Sequence, residues 1–169
     1  MYNIAVYPGS FDPITYGHMD LLERALKIFD KVIIAIAANP GKAPLFTIEE
    51  RCDMIKAALA EHPMGDRVKV DLFHGLLVDY VQSVPARAIL RGLRAISDFE
   101  YEFQMALMNR KLNGDVETLF IMTGLRWIYI SSRIIKEVVM SGGSVTGLVP
   151  PIVEKKLAEK LIKGSCTLY

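Results

Sequence analysis

The sequence predicts an α/β fold in which five parallel strands form a doubly wound sheet with helices on both faces. The chain has 169 residues, which is the size of one domain. Short β-branched runs alternate with longer segments whose apolar residues recur at helical spacing, and this alternation is typical of a parallel sheet with right-handed crossovers. One run, Val32–Ala37, is apolar throughout, as expected of a strand that is covered on both faces.

The five predicted strands are short and are separated by turns, helices or loops. They are Ile4–Tyr7, Val32–Ala37, Val68–Phe73, Ala88–Leu90 and Glu117–Met122. We expect them in the order 3-2-1-4-5, which places the first strand beside the fourth and makes that junction the point where strand order reverses.

Helices are predicted from apolar spacing and from start signals. Thr47–Glu50 and Ser97–Glu100 are capping boxes, in which two side chains satisfy backbone N–H groups at a helix start. The predicted helices begin near Gly17, Thr47, Leu77, Ser97, Ser131 and Pro151, and they end near Phe29, Ala60, Ser83, Leu112, Met140 and Ile162.

The composition is that of a globular protein with almost no net charge. Apolar residues make up 51% of the chain, and 20 Lys and Arg face 19 Asp and Glu, which gives a net charge of +1. A protein that binds nucleic acid or a membrane with its whole surface is normally more basic, so neither partner is predicted. Any anion must therefore be held by a local cluster.

The chain is expected to form one cytoplasmic domain. No repeat or linker interrupts it, so we predict a single domain over residues 1–163 and a tail over residues 164–169. We expect no signal peptide, and the early apolar runs are too short to cross a bilayer. Cys52 and Cys166 form no Cys-x-x-Cys pair, which favours a reducing compartment.

Basic residues gather at one edge of the predicted sheet. In a doubly wound sheet, ligands bind outside the carboxyl ends of the strands where strand order reverses. The loops at that edge and the helix starts behind them carry His18, Lys42, Arg91, Arg94, Arg126 and Arg133. A nearly neutral protein that collects cations on one rim is expected to bind an anion such as a phosphate there.

The loop after the first strand leads to a histidine at a helix start. The loop has neither the Gly-Lys-Ser/Thr ending of a Walker A loop nor the Gly-x-Gly-x-x-Gly dinucleotide fingerprint. Gly17 and His18 follow it at the helix start, where backbone N–H groups and the helix dipole favour anions. A histidine there can stabilise charge that grows on a phosphoryl oxygen in a transition state. The alternative is that His18 only packs or caps the helix.

A second polar cluster follows the fifth strand. Ser131 and Ser132 begin a helix, where they can serve as N-caps or bind a phosphate chain. Arg133 and Lys136 add positive charge on the following turn. Trp127 is expected to belong to the core or to a lid rather than to a platform for a base.

Several segments resemble those of one enzyme family. Thr15-Tyr16-Gly17-His18 resembles the T/H-x-G-H motif of the nucleotidylyltransferase superfamily, and Ile130–Lys136 resembles its I-S-S-x-x-x-R/K motif. Within that superfamily, the chain is similar to the bacterial phosphopantetheine adenylyltransferase family up to about Lys163. The segments that carry this similarity are Tyr7–Thr15, Phe46–Arg51, Ile89–Ala95 and Asp98–Glu102.

The resemblance implies a Rossmann-like nucleotidylyltransferase domain and a reaction. The family transfers the adenylyl group of ATP to 4′-phosphopantetheine, giving dephospho-coenzyme A and pyrophosphate, in the penultimate step of coenzyme A biosynthesis. The acceptor phosphate attacks the α-phosphate of ATP in line, without a covalent enzyme intermediate. Mg²⁺ is expected with ATP, held by phosphates and water rather than by protein ligands. Family members are homohexamers, and coenzyme A can bind them as a feedback inhibitor.

The resemblance also implies roles for individual residues. His18 would stabilise the transition state, and Lys42 and Arg91 would hold the attacking phosphate. Ser10 would lie between the two substrates, and Leu77 would contact the pantetheine arm. The ATP site would be lined by Ser10, Phe11, His18, Gly92, Leu93, Arg94, Glu102, Trp127, Ile128, Tyr129, Ile130, Ser131, Ser132 and Arg133.

Several residues also have purely structural interpretations. Lys42 can be a solvated loop residue, Arg94 a surface salt-bridge partner, and Glu102 an acidic residue favoured by the start of a helix. Arg133 stands where the family often has a third serine or a threonine. Met105, at helical spacing with other apolar residues, is expected in the core or at a subunit contact.

Two other functions remain open at this stage. One is transfer of a cytidylyl or adenylyl group to a different phosphorylated acceptor, against which the Arg91–Arg94 segment argues. The other is a non-catalytic nucleotide-binding module, which would have no need of the transition-state contact that His18 can make.

Overall fold

The computed structural model describes residues 3–38, 44–94 and 96–162, and the predicted tail over 164–169 lies outside them. The strands are β1 (Ile4–Gly9), β2 (Lys31–Ala37), β3 (Val68–Phe73), β4 (Ala88–Leu93) and β5 (Glu117–Met122). They form one parallel sheet in the order β3-β2-β1-β4-β5. The predicted fold class and strand order are therefore confirmed.

Helices connect the strands in the alternating pattern that the sequence predicts. They are α1 (Tyr16–Ala25), α2 (Ile48–Ala60), α3 (Leu77–Ser83), α4 (Ile96–Leu112), α5 (Ser132–Met140) and α6 (Pro151–Leu157). A 3-10 turn over Gly65–Arg67 precedes β3, and a π-helical turn over Ala158–Ile162 continues α6. In the part of the chain that the structure describes, no helix has the length and apolar character needed to span a bilayer.

The first helix is shorter than predicted, because it ends at Ala25 rather than near Phe29. Arg67 explains the early end. Its guanidinium donates to the carbonyl oxygens of Leu26 and Phe29, both at 2.7 Å, and to that of Asp30 at 2.9 Å. The carbonyl groups after α1 are thus satisfied by a side chain instead of by further helical turns.

Both faces of the sheet are covered at the inner strands β1 and β2, whereas the edge strands β3 and β5 keep exposed residues. Along β1, Ala5 and Tyr7 pack into a cluster with α1, α2, α5 and α6, whereas Val6 packs into a second cluster with α3. Residues alternate between faces along a strand, so burial on both sides requires a continuous apolar run. In β2, the residues from Val32 to Ile36 are at most 5% exposed.

The two strands that border the reversal point extend further than predicted. β1 pairs with β2 up to Gly9, and β4 pairs with β5 through Arg91, Gly92 and Leu93. The expectation that Arg91 begins a loop is therefore wrong. Gly92 leaves room for α1 against this strand, because a Cβ at this position would lie 2.5 Å from Cδ1 of Leu21.

Candidate active site

The carboxyl ends of β1 and β4 border two adjoining cavities. The first, which we call the His18 cavity, has a volume of about 490 Å³, and the second, the Leu77 cavity, has about 370 Å³. The residues that line both, which we call the shared wall, are Pro8, Gly9, Ser10, Arg91 and Glu102. A separate groove of about 940 Å³ lies at the amino ends of the strands and contains none of the predicted site residues.

Each cavity has its own set of further lining residues. Those of the His18 cavity come from the β1–α1 loop, the start of α1, β4 and the start of α5, and they are Tyr7, Phe11, Thr15, Gly17, His18, Leu21, Gly92, Arg94, Thr123, Ile130, Ser131, Ser132 and Arg133. Those of the Leu77 cavity come from α4, from strands β2, β3 and β5, from α2 and the segment before it, and from the start of α3, and they are Ala37, Pro44, Arg51, Phe73, Leu77, Tyr101, Met105, Ala106, Asn109 and Thr118.

The loop between β1 and α1 folds back on itself just after the shared wall. Phe11 has a φ of 46°, a left-handed conformation that a bulky residue adopts only where its surroundings hold it. Its buried ring lies against Gly9, where a Cβ would be 2.9 Å from the ring. Gly9 therefore allows the loop to turn within the space beside the strand.

His18 is held by the residue that precedes its helix. The backbone N–H of Thr15 donates to Nδ1 of His18 at 3.0 Å. Because Nδ1 accepts this hydrogen bond, the proton of the neutral ring is on Nε2, and Nε2 is the atom left to donate to a ligand. Helix capping and ligand binding thus involve different atoms of the same ring, and the two interpretations of this histidine are compatible.

The imidazole of His18 is neutral at neutral pH. Burial, and then the positive charge of Arg94, lower its pKa from 6.5 to about 4. The rings of Tyr7 and Phe11 pack beside it, with centroids at 6.3 and 5.1 Å. The site therefore offers a neutral N–H donor rather than an imidazolium ion.

Arg91 and Glu102 form an ion pair inside the shared wall. Nε of Arg91 donates to Oε2 of Glu102 at 2.6 Å, and Nη2 donates to Oε1. Nη1 lies 3.4 Å from the carbonyl oxygen of Pro8. Burial alone would lower the pKa of Arg91, but the hydrogen bonds and charge of Glu102 outweigh it and raise that pKa. A buried charge needs a partner, and within the protein the partner of Arg91 is Glu102.

The start of α5 contributes backbone and side-chain groups to the His18 cavity. Ser131 is the N-cap of α5, since its Oγ accepts from the backbone N–H of Ile134 at 3.1 Å. Ser132 donates its hydroxyl to the carbonyl oxygen of Pro13 at 2.7 Å. Both hydroxyl groups and the N–H of Ile134 are thus engaged within the protein, and what this helix start can offer an anion is its dipole with the N–H groups of Ser132 and Arg133.

The two arginines that line the His18 cavity outside the shared wall have different surroundings. Arg94 directly follows β4 and donates to the carbonyl oxygen of Ile130 at 3.3 Å. It therefore connects the end of β4 to the segment just before α5. Arg133 has a side chain that is 86% exposed and forms an ion pair with Glu137 one turn later, at 2.8 Å. Its charge is therefore directed to the rim of the cavity and is screened by water.

The Leu77 cavity is mainly apolar but contains polar groups at its inner side. Met105 is 40% exposed and lines this cavity, so it does not lie in the core, and the alternative of a subunit contact stays a prediction. Asn109 is a buried polar residue, and Oγ1 of Thr118 is buried without a hydrogen-bond partner among the described residues. An unpaired hydroxyl beside a cavity can satisfy a polar group of a ligand.

Arg51 is a residue of the site to which the sequence assigned no role. It is 4% exposed, lines the Leu77 cavity and donates to the carbonyl oxygen of Ser10 at 2.8 Å and to that of Thr47 at 3.2 Å. It therefore fixes the shared wall to the start of α2. Its position in the Phe46–Arg51 motif was the one available signal.

The structure leaves some of the predicted ATP-site residues away from the cavity linings. These residues are Leu93, Trp127, Ile128 and Tyr129. Trp127 packs on Tyr16, with ring centroids 5.6 Å apart, and the Arg126 guanidinium lies 4.6 Å from the centroid of the indole ring. Lys42, the second predicted ligand of the acceptor phosphate, lies outside the described residues.

Comparisons with known proteins agree with the motifs. Residues 6–138 match the model of the cytidylyltransferase-like family. The phosphopantetheine adenylyltransferase of Desulfosudis oleivorans is 59% identical over 158 residues, which are 94% of this chain and 92% of that protein. The phosphopantetheine adenylyltransferase of Geobacter sulfurreducens is also 59% identical, over 93% of this chain and 94% of that protein.

The chain belongs to the phosphopantetheine adenylyltransferase family. The resemblance found in the sequence is therefore confirmed, and so is the prediction of a nucleotidyltransferase. The fold agrees as well: the nicotinic acid mononucleotide adenylyltransferase of Plasmodium falciparum aligns with a TM-score of 0.70 over 98% of this chain and 97% of that one. At 17% sequence identity, this second similarity concerns the fold alone.

Membership in the phosphopantetheine adenylyltransferase family accounts for the presence of two adjoining cavities. A nucleotidyltransferase must bring a nucleotide and an acceptor together, and two cavities that meet at one wall provide two adjacent binding spaces. The His18 cavity has the helix starts and the neutral N–H donor suited to phosphates, whereas the Leu77 cavity has the apolar surface suited to an uncharged chain.

Proposed function

We propose that the protein transfers the adenylyl group of ATP to 4′-phosphopantetheine, which gives dephospho-coenzyme A and pyrophosphate in the penultimate step of coenzyme A biosynthesis. The names of its relatives at 59% identity support this activity. The observation that carries the proposal is the shared wall, because one strand end and one arginine border both cavities.

We assign the triphosphate of ATP to the His18 cavity and the pantetheine arm to the Leu77 cavity. The start of α5 and Arg94 would bind the triphosphate, together with Phe11, Gly92 and the wall residue Ser10. Leu77 would contact the apolar part of the acceptor. The acceptor phosphate would lie at the shared wall, where Arg91 would bind it and where Lys42 is expected to contribute.

The reaction in this arrangement is a direct displacement. An oxygen of the acceptor phosphate attacks the α-phosphorus of ATP, and the bond between that phosphorus and the bridging oxygen breaks as pyrophosphate leaves with the electron pair. Nε2–H of His18 would donate to a non-bridging oxygen of the α-phosphate as charge develops there. The protein then supplies positioning and charge stabilisation, and no covalent enzyme intermediate is formed.

We propose that Mg²⁺ accompanies ATP and is held by phosphate oxygens and water. Among the described residues, Glu102 is the one carboxylate that lines either cavity, and it is bound to Arg91. This donor set fits a cation that the substrate carries into the site. When bound, the ion would offset charge on the leaving pyrophosphate.

We further propose that the protein is a cytoplasmic homohexamer that coenzyme A inhibits. Exposed apolar side chains on α4 support self-association, and they include Tyr101 at 64%, Leu107 at 52% and Leu112 at 52% exposure. The proposed use of ATP supports a cytoplasmic location, because ATP is supplied in that compartment. Light scattering would give the oligomeric mass, and titration of coenzyme A into the enzyme assay would give the inhibition.

The experiment that tests the activity is a measurement of pyrophosphate release from ATP and Mg²⁺ with a panel of acceptors. We expect release with 4′-phosphopantetheine and none with pantetheine, which lacks the attacking phosphate. Nicotinate mononucleotide and glycerol 3-phosphate, with ATP or CTP, are the comparison substrates. Faster turnover with either of them would contradict the proposed acceptor, and binding of ATP without turnover on any acceptor would contradict enzymatic function.

A further inference from the structure

Asp12 is a buried carboxylate at the centre of the loop between β1 and α1. The residue is 5% exposed. Its Oδ1 accepts from the backbone N–H of Phe46 at 2.9 Å, and its Oδ2 accepts from that of Leu45 at 3.0 Å and from Nζ of Lys136 at 2.7 Å. One side chain thus joins three segments of the protein: this loop, the approach to α2, and the second turn of α5.

The carboxylate of Asp12 is ionised at neutral pH. Burial alone would raise its pKa, but the hydrogen bond of Lys136, the two backbone N–H groups and the charge of that lysine together lower it. Removing two charges from water is costly, and an apolar pair of similar size often stabilises a fold equally well. The three directional contacts of the Asp12 carboxylate do something that an apolar pair cannot do: they fix the positions of the groups that they join.

The Asp12–Lys136 pair acts beside the cavities and not within them. Neither residue lines the His18 cavity or the Leu77 cavity. Asp12 lies two residues after Ser10 of the shared wall, and Lys136 lies one helical turn after Ser132, whose hydroxyl binds the carbonyl oxygen of Pro13. Two contacts from consecutive turns of α5 therefore hold the same loop.

We propose that Asp12 and Lys136 are positioning residues for the adenylyl transfer. The pair sets the distance between the shared wall, where the acceptor phosphate would lie, and the start of α5, where the triphosphate would lie. This inference rests on the proposed function. It also replaces the sequence-based expectation that Lys136 provides charge to a phosphate, because its Nζ is bound to Asp12.

The test uses Asp12→Asn, Lys136→Met and the double variant Asp12→Asn/Lys136→Met of the full chain. Each variant is assayed for pyrophosphate release with ATP, Mg²⁺ and 4′-phosphopantetheine at a temperature where circular dichroism shows it folded. We expect kcat to fall by about tenfold or more while each KM changes by less than about threefold, because a displacement of about 1 Å can cost about 100-fold in rate. The double variant is expected to be no slower than the slower single variant, since both remove one shared contact.

Arg67→Met is the matched control. Arg67 also holds a turn through three backbone carbonyl oxygens, but at the amino ends of the strands, away from both cavities. The Arg67→Met substitution should therefore lower the melting temperature and leave kcat within about twofold of the wild type. This pattern would show that loss of a loop anchor as such does not slow the reaction.

Two results would overturn the proposal. One is a folded double variant with kcat within about twofold of the wild type. The other is a Lys136→Met variant with unchanged kcat and a KM for ATP raised by about tenfold or more, which would make Lys136 a phosphate ligand. The double variant protects the test against failed folding, because it leaves no unpaired buried charge.

Failure of the proposed function would be visible separately. Wild-type turnover in the same assay tests that function, and hydrogen exchange tests the pair without any substrate. The amides of Leu45 and Phe46, which donate to Asp12, should exchange about tenfold faster in the double variant than in the wild type, with β2 unchanged. Equal protection in the two proteins would overturn the proposal even if no acceptor were found.

Discussion

The His18 cavity and the Leu77 cavity share a wall but differ in the way they are built. The His18 cavity is formed by strand ends and helix starts, and its polar groups include a histidine, three arginines and three serines, counting those of the shared wall. The Leu77 cavity is formed by one side of α4, the start of α3 and neighbouring strand residues, with Phe73, Leu77 and Met105 among its apolar residues. The first suits a highly charged ligand held through backbone N–H groups, and the second suits an uncharged chain held through apolar contact.

The shared wall carries one cation whose charge is compensated in the free protein. Arg91 is bound through two nitrogen atoms to Glu102. A phosphate at the wall must therefore share Arg91 with Glu102 or replace it, so part of the binding energy is offset by this exchange. The difference between the cavities thus predicts separable effects: variants in one cavity should change the chemical step or ATP binding, and variants in the other should change acceptor binding.

His18→Ala should have the largest effect and should act on the chemical step. We expect kcat to fall by about 100-fold or more and the Kd for ATP to change by less than about threefold, because one transition-state donor is lost. Single-turnover kinetics and ATP titration would measure the two quantities. His18→Gln, which keeps an N–H donor, should lose less.

His62→Ala is the matched control for that variant. His62 pairs with Glu23 at 3.0 Å and lines neither cavity. We expect its kcat to remain within about twofold of the wild type. A His18→Ala protein with kcat within about threefold of the wild type would contradict the role assigned to Nε2.

Arg91→Met should have the second largest effect and should act on the acceptor. We expect its KM for 4′-phosphopantetheine to rise by about 10- to 50-fold and its KM for ATP by less than about fivefold, because one charge-assisted contact is lost. Steady-state kinetics with each substrate varied in turn would measure both. Equal weakening of the two substrates would mean that the wall does not divide them.

A double variant separates the lost contact from its side effect. Arg91→Met leaves Glu102 as a carboxylate whose side chain is 13% exposed and has lost its partner. Adding Glu102→Gln removes this charge. If the phosphate contact is the cause, the double variant should bind the acceptor as weakly as Arg91→Met; recovery to near the wild-type KM would instead show that the unpaired carboxylate was responsible.

The sequence predicted the His18 cavity better than the Leu77 cavity. Strand ends and helix starts leave a local pattern, because a glycine, a capping serine or a histidine must stand at a fixed offset from the element boundary. His18 at a helix start and a serine N-cap at the start of α5 both follow from such patterns and occur in the structure. For this reason the motif loops could be placed without coordinates.

The contacts that connect distant segments could not be predicted from one sequence. The ion pair of Arg91 and Glu102 joins residues 11 positions apart in the sequence. The hydrogen bond of Arg51 to Ser10 joins residues 41 positions apart, and the ion pair of Asp12 and Lys136 joins residues 124 positions apart. Apolar spacing also does not tell whether a helix side faces the core or a cavity. Met105 shows this: its helical spacing suggested the core or a subunit contact, and in the structure it lines the Leu77 cavity.

Met105→Ala should have a smaller effect, confined to the acceptor. We expect its KM for 4′-phosphopantetheine to rise by about fivefold, since the lost apolar contact is worth about 1 kcal/mol, and its KM for ATP to stay unchanged. Met140→Ala is the control, because Met140 is 62% exposed and lines neither cavity. A rise in the KM for ATP would show that the two cavities do not bind separate substrates.

The smallest effect is expected from pH, and it tests the protonation state on which the His18 cavity depends. The pKa of His18 is lowered to about 4, so the imidazole keeps its neutral form and its Nε2 proton throughout the neutral range. We expect the ratio of kcat/KM for ATP between the wild type and His18→Gln to vary by less than about twofold between about pH 5.5 and 8.5. Taking this ratio cancels the ionisation of the substrates. Because an unfolded histidine has a pKa of 6.5, the unfolded chain gains this proton first, and the contribution of His18 to stability should decline as the pH falls from 6.5 towards 4. If the ratio of kcat/KM between the wild type and His18→Gln instead fell steadily above about pH 6.5, an imidazolium ion would be the active form. That result would contradict the assignment of His18 as a neutral donor.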